Sequence, residues 1–159
     1  MSTPFEYAPA PESRDIARLK PSYQIFVDGR FRDGAGPSIK TINPADETPL
    51  AEVTEAGESD VVDAVAAARR AGTGVWGRMP GSERAKYLFR IARAIQERGR
   101  ELAVLESLDN GKPIRESRDV DIPLAAAHFF YYAGWADKLG YAGYGPSPAP
   151  VGVAGQIIP

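Results

Sequence analysis

Covalent and acid–base catalysis need a nucleophile, a base or a metal-ligand cluster, and this 159-residue chain is short of all three. It has no cysteine, which removes disulfides, thiolate zinc sites and a cysteine nucleophile. Its one histidine, His128, excludes a histidine-rich metal site. His128 falls on an apolar helical stripe, so it reads as a packed or interface residue rather than a base. A serine nucleophile would need an adjacent general base, and no Ser–His pairing is evident. The carboxylate pairs Glu106/Asp109 and Asp119/Asp121 read as helix-surface or capping groups until a partner is shown. Gly152-Val153-Ala154-Gly155 lacks the G-x-G-x-x-G spacing, and no helix is predicted after it. Those glycines are read as sites of close backbone packing, not as a phosphate loop. Arg84, Arg90, Arg93, Arg98 and Arg100 interleave with Glu83, Glu97 and Glu101, which describes a solvated helix face rather than a nucleic-acid patch.

Composition narrows the class further. Nineteen Lys and Arg against 21 Asp and Glu give a formal net charge of -2, which disfavours a strongly basic nucleic-acid binder. Hydrophobic residues at 43% and charged residues at 25% allow a packed core. No apolar run approaches the roughly 18 residues of a membrane span. Met1–Lys20 shows no basic region followed by an apolar stretch. No secretory leader is therefore predicted, and a cytoplasmic protein is expected.

The elements that would position any site follow from periodicity and punctuation. Residues 1–21 read as an arm, broken by Pro4, Pro9, Pro11 and Pro21. It is either a mobile tail or a segment laid on a larger body, and few contacts with the rest of this chain are expected. Ile25 to Val27, the Asp28-Gly29 turn and Arg30 to Arg32 predict a hairpin. Strands are predicted over Ser38–Ile42 and Pro49–Thr54, completing a small antiparallel unit. Apolar period and cap residues then predict helices over Asp60–Ala71 (capped by Ser59), Ser82–Arg98, Arg100–Leu108 and Pro123–Lys138. Pro113 opens a short helix, and Pro123 is expected at a fresh helix start. Leu124, Ala127, His128, Tyr131 and Trp135 share one helical stripe. The segment from Gly140 is dense in Gly and Pro and leads into a predicted strand at Val151–Ile158.

Four blocks together resemble the aldehyde dehydrogenase superfamily. They are Ile42-Asn43-Pro44-Ala45-Asp46-Glu47 with Leu50-Ala51-Glu52-Val53, the run from Leu105 to Pro113, the run from Tyr131 to Lys138, and the run from Pro150 to Pro159. The resemblance covers about Gln24 to Pro159. It implies an α/β fold: a small antiparallel β unit, four to five helices, and the first strand of a Rossmann-like cofactor domain. Residues 22–138 would be the N-terminal part of that domain, 139–150 a shortened crossover, and 151–159 the first strand toward the cofactor.

The resemblance also implies an activity, oxidation of an aldehyde to a carboxylic acid with NAD or NADP. In the family a cysteine attacks the aldehyde, hydride leaves to the nicotinamide, and a glutamate-activated water hydrolyses the thioester. A backbone N–H and an asparagine stabilise the oxyanion. The cysteine, glutamate and asparagine fall beyond Pro159 in the family pattern, so no catalytic residue is assigned to this chain and the isolated chain is expected to be inactive. Ile158 and Pro159 correspond to positions lining the cofactor site. Leu124 corresponds to the mouth of the substrate tunnel. Thr41, Ile42 and Asp109 match positions where some members hold a monovalent cation. The implied partners are a small aldehyde and, for the parent enzyme, further copies of itself. The shortened stretch Leu139–Ala149, with alternate prolines, predicts no regular oligomerisation hairpin. The rival reading is a non-catalytic remnant acting as a binding or scaffold module.

Overall fold

The computed structural model describes residues 12–143, 145 and 148–158. Its β portion is built around Pro49–Thr54. This strand (β5) lies between Ser22–Tyr23 (β1) and Ser38–Ile42 (β4) in a three-stranded sheet. The β4–β5 pair is antiparallel, with Ile39 opposite Val53 and an irregularity between Thr41 and Ile42. The β1–β5 pair is parallel, Ser22 opposite Glu52. The expected purely antiparallel unit is therefore a mixed sheet. Two residues bounded by Pro21 carry too little pattern to show a strand in the sequence.

Ile25–Val27 (β2) and Arg30–Arg32 (β3) form the expected hairpin. Its turn residues Asp28 (φ 53°) and Gly29 (φ 77°) both occupy the left-handed region that such a turn requires. Phe26 and Phe31 pair across it with ring centroids 4.9 Å apart.

The helices are Glu58–Thr73 (α1), Val75–Arg78 (α2), Gly81–Glu97 (α3), Gly99–Asn110 (α4), Ile114–Glu116 (α5) and Ile122–Trp135 (α6). Gly57, not Ser59, stands at the start of α1. The cap is supplied from inside the helix. Asp60 reaches back to accept from the backbone N–H of Gly57 at 2.9 Å and of Ala35 at 2.6 Å, fastening α1 to the loop before β4. Likewise α3 begins at Gly81 after Pro80, one residue ahead of the expected Ser82.

The core is the contact between α3 and α6. Ala85 and Ala92 on α3, and Ala126 and Ala133 on α6, are buried. Each pair is two helical turns apart, so it lies on one face. Small side chains there let the backbones approach, and Phe89, itself partly exposed, meets Phe130 across the helices with centroids 5.9 Å apart. The approach is close where the start of α3 meets the end of α6. A Cβ on Gly81 would lie 2.1 Å from the Ala136 carbonyl oxygen. The helices thus run antiparallel, with Gly99 beside Ile122 at the other end.

Two expectations about the α6 segment change. Pro123 falls in the first turn of α6, as expected, but that helix is not a separate one. Five residues of π-helix, Ser117–Asp121, join α5 to α6 without a break. Pro123 has no N–H to give to an acceptor four residues back, and the wider turn, in which the Ile122 N–H reaches the Ser117 carbonyl, lies directly before it. The helix also ends at Trp135 rather than Lys138.

Val151–Ile158 forms no strand: it meets no partner among the described residues, and an unpaired segment has no ladder to define it. Leu139–Tyr141 is a short 3-10 turn, and no strand occurs among the described residues of Leu139–Ala149. The described part of the arm is not loose. Arg14–Ile16 forms a 3-10 turn, Arg14 pairs with Asp46 at 2.8 Å, and Glu12 pairs with Arg100 at 2.7 Å. The expectation of few contacts fails there because charge, not an apolar period, does the docking. Phe5 and Tyr7 lie outside the described residues.

Candidate functional site

The stripe that the sequence places on α6 proves to be an outward face. Leu124 is 51% exposed, Tyr131 60% and Trp135 37%. Ala127 and His128 are exposed beside them, while Ala126 and Ala133 occupy the buried side. The apolar residues of α6 surround the whole helix, so periodicity alone could not say which side the alanines would claim. The exposed rings form a cluster. His128 stacks on Tyr132 with centroids 6.4 Å apart, and Tyr131 meets Tyr132 edge-on at 5.2 Å. Tyr131 also lies 6.4 Å from Trp135. No carboxylate or serine hydrogen-bonds to His128 among the described residues, so nothing orients it as a base.

The expected cation residues sit at two adjacent elements. Thr41 and Ile42 end β4, and the Thr41 hydroxyl donates to the Ala51 carbonyl at 3.5 Å. Asp109 is exposed in the last turn of α4. What joins these elements is Gly111. It caps α4 with φ 74°, and a Cβ there would lie 2.6 Å from Cγ of Pro44, in the turn that follows Ile42. That turn is internally bonded. The Asn43 side-chain oxygen accepts from the Ala45 N–H at 3.0 Å, and the Glu47 N–H donates to the Asn43 carbonyl at 2.8 Å. Asn43 is 1% exposed, and its side-chain nitrogen has no partner among the described residues. That orphan atom is a donor and does not coordinate a cation. No group of three or more His, Cys, Asp or Glu side chains converges among the described residues.

The strongest electrostatics lie elsewhere. Asp46 accepts from the Thr48 hydroxyl at 2.5 Å and from Arg14, and these bonds hold its carboxyl at a pKa of about 2. Asp60 is held low by the backbone N–H groups of Ala35 and Gly57, with Arg32 3.0 Å away. Lys112 is held in its charged form by Asp121, with Glu106 4.0 Å away. A lysine kept as ammonium is not available as an amine nucleophile.

Ile158 is 81% exposed and Ile157 101%, with Val151 at 108%. Pro159 lies outside the described residues. A dinucleotide site needs a parallel βαβ unit and the N-terminus of its helix. Among the described residues the only parallel pair is the two-residue β1–β5 contact, and no helix follows Val151–Ile158. The residues present do not by themselves fit a nicotinamide dinucleotide.

Sequence reasoning missed the docked arm and the π-turn. The ion pairs of the arm leave no periodic trace. The π-turn has one signal, a proline that follows a polar run with no capping break.

Comparison with known proteins supplies what the isolated geometry lacks. The sequence profile described as "Aldehyde dehydrogenase family" matches residues 31–159. Benzaldehyde dehydrogenase, mitochondrial, of Antirrhinum majus is 40% identical over 146 residues, 86% of this chain and 27% of the plant protein. An aldehyde dehydrogenase of Aspergillus niger is 42% identical over 148 residues, 85% of this chain and 29% of the fungal protein. Among solved structures, the NAD+ complex of an aldehyde dehydrogenase from Bacillus cereus superposes with a TM-score of 0.72 at 42% identity, over 74% of this chain and 24% of that one. An NAD-dependent aldehyde dehydrogenase from Sinorhizobium meliloti gives 0.72 at 38% identity, over 82% and 26%. The chain thus spans less than a third of the length of these relatives.

Proposed function

The chain belongs to the aldehyde dehydrogenase family, and from that membership we propose that it is the N-terminal section of an NAD- or NADP-dependent enzyme that oxidises an aldehyde to a carboxylic acid. The observation that carries this reading is the surface it leaves open. A folded monomer of this mass has about 7,800 Å² of accessible surface. This chain has 12472 Å². Large apolar side chains are left exposed on the α6 face, in the Phe26–Phe31 pair, and at Val151, Ile157 and Ile158 in the tail. Large apolar side chains left exposed on several elements mark interaction surface, here with the remainder of an enzyme about three times as long.

Within that enzyme Leu124 would form the tunnel wall, with Tyr131 and Trp135 further along the same face. Ile158 and Pro159 would border the cofactor, and Val151–Ile158 would gain strand partners on both sides. Thr41, Ile42 and Asp109 would hold a monovalent cation between β4 and α4, a role consistent with the Gly111–Pro44 contact that brings these elements together. Oxidation itself is not assigned to this chain, which has no cysteine. Assembly of the enzyme with further copies of itself, and its place in the cytoplasm, belong to the same proposal. No described helix is long and apolar enough to cross a membrane. A solitary scaffold module is the weaker reading, because a stand-alone domain would carry polar residues where Leu124, Tyr131 and Ile157 are.

The test is a fusion. Residues 1–159 are joined to the part of the Aspergillus niger relative that the match leaves uncovered, and NADH formation is followed with several aldehydes. Aldehyde oxidation whose KM rises on Leu124→Ala, with NAD affinity unchanged, supports the reading. A folded fusion that binds NAD and oxidises no aldehyde contradicts it.

A further inference from the structure

Glu12 is nearly buried, its side chain 6% exposed, yet it is charged and far in sequence from its partners. One carboxylate oxygen accepts from Nε of Arg100 at 2.9 Å and lies 2.7 Å from its Nη2. The other lies 3.6 Å from Nη1 of Arg118, the second residue of the π-turn. Arg118 uses its remaining edge on Asp119, at 2.7 and 2.9 Å.

We propose that Glu12 is a positioning residue for α6: through Arg118 it holds the π-turn open, and the π-turn sets which face of α6 is turned outward. A π-turn holds one residue more than an α-turn and is seldom stable without local support. This one is tied down at three points. Ser117 is fully buried, its hydroxyl 3.3 Å from that of Ser107 on α4. Asp121 pairs with Lys112. Arg118 is held by Glu12. The first two tethers come from the end of α4 and the loop that follows it, and the third comes from the arm, more than a hundred residues earlier in the chain. Collapse of the π-turn to α-helix would advance α6 by one residue, a rotation of about 100°. That would carry Leu124 and Tyr131 off the exposed face and lift Ala126 and Ala133 from their contact with α3. The device belongs to the chain itself and holds whichever reaction the α6 face serves.

The experiment compares amide hydrogen exchange in the 159-residue chain with that of E12Q, E12D, R118Q and D119N. E12Q and R118Q should speed exchange at residues 117–122 about tenfold, with less than a twofold change in α3. In a Trp76→Phe background the emission of Trp135 should shift in both variants. E12D, which keeps the charge, should restore both readouts, and D119N should leave both as they are. Where E12Q fails to fold, R118Q decides the matter, because it leaves the Glu12–Arg100 pair in place. Faster exchange confined to residues 12–21, or an unchanged π-turn in R118Q, would overturn the proposal.

Discussion

Substitution of Gly111 by alanine should destabilise the chain more than its exposed position suggests. Two costs add at this site. The residue has φ 74°, and an L-residue in that region costs about 1–2 kcal/mol. The new Cβ would also lie 2.6 Å from Pro44 Cγ, a ring atom in a turn that is itself hydrogen-bonded at both ends. Forcing such a contact apart costs roughly 1–3 kcal/mol. The sum, about 2–5 kcal/mol, should lower a urea midpoint by about 1–2.5 M at an m-value of roughly 2 kcal/mol/M. Gly29→Ala is the matched control. Its φ is 77°, but a Cβ there meets nothing within 4 Å, so it should show the backbone cost alone. The excess of G111A over G29A then measures the Pro44 contact, and Pro44→Ala in the G111A background should remove most of it. A G111A midpoint no lower than that of G29A, or no relief from Pro44→Ala, would refute the link between α4 and the turn after β4.

Asp46 should make stability depend on acid. Its folded pKa of about 2 lies below the ordinary 3.8, so its contribution is fully present above the ordinary value and is lost as pH falls toward 2. Asp46→Asn should flatten the drop in unfolding midpoint between pH 5 and pH 2.5 (about the two ends of that window), and an unchanged slope would count against the Thr48 and Arg14 bonds. In the tail, I157E combined with I158E should leave the midpoint where it is, because both side chains already meet solvent. The same pair should reduce self-association measured by light scattering, since an unpaired apolar segment of strand-like composition can pair with another copy. A lower midpoint would show that the tail packs on the body.

Local rules read well from the sequence where one interaction dominates. The Asp28-Gly29 hairpin follows from residue types that few other conformations accept, and the helix covering most of Ser82–Arg98 follows from its apolar period. The reading failed where the decision was made at a distance. The outward turn of Leu124 and Tyr131 depends on Ala85 and Ala92 of another helix. The docking of the arm depends on Arg100 and Arg118, which in the sequence are merely two more charges. Val151–Ile158 has a strand's composition, but a strand exists only with a partner, and none of the described residues offers one. The candidate site was legible only as family pattern. Its described residues lie on β4, α4, α6 and the tail, which this chain alone does not close around a ligand.

The central claim is that this chain supplies walls and supports while the reacting groups lie outside it. The most direct measurement is NADH formation by purified residues 1–159, shown to be folded by circular dichroism, with several short aldehydes and with NAD or NADP. The account predicts no turnover above a buffer blank at any pH, since there is no cysteine to form a thiohemiacetal and none for His128 to activate. Turnover that survives a second purification would contradict it and would demand a nucleophile among the hydroxyl or carboxylate groups of this chain.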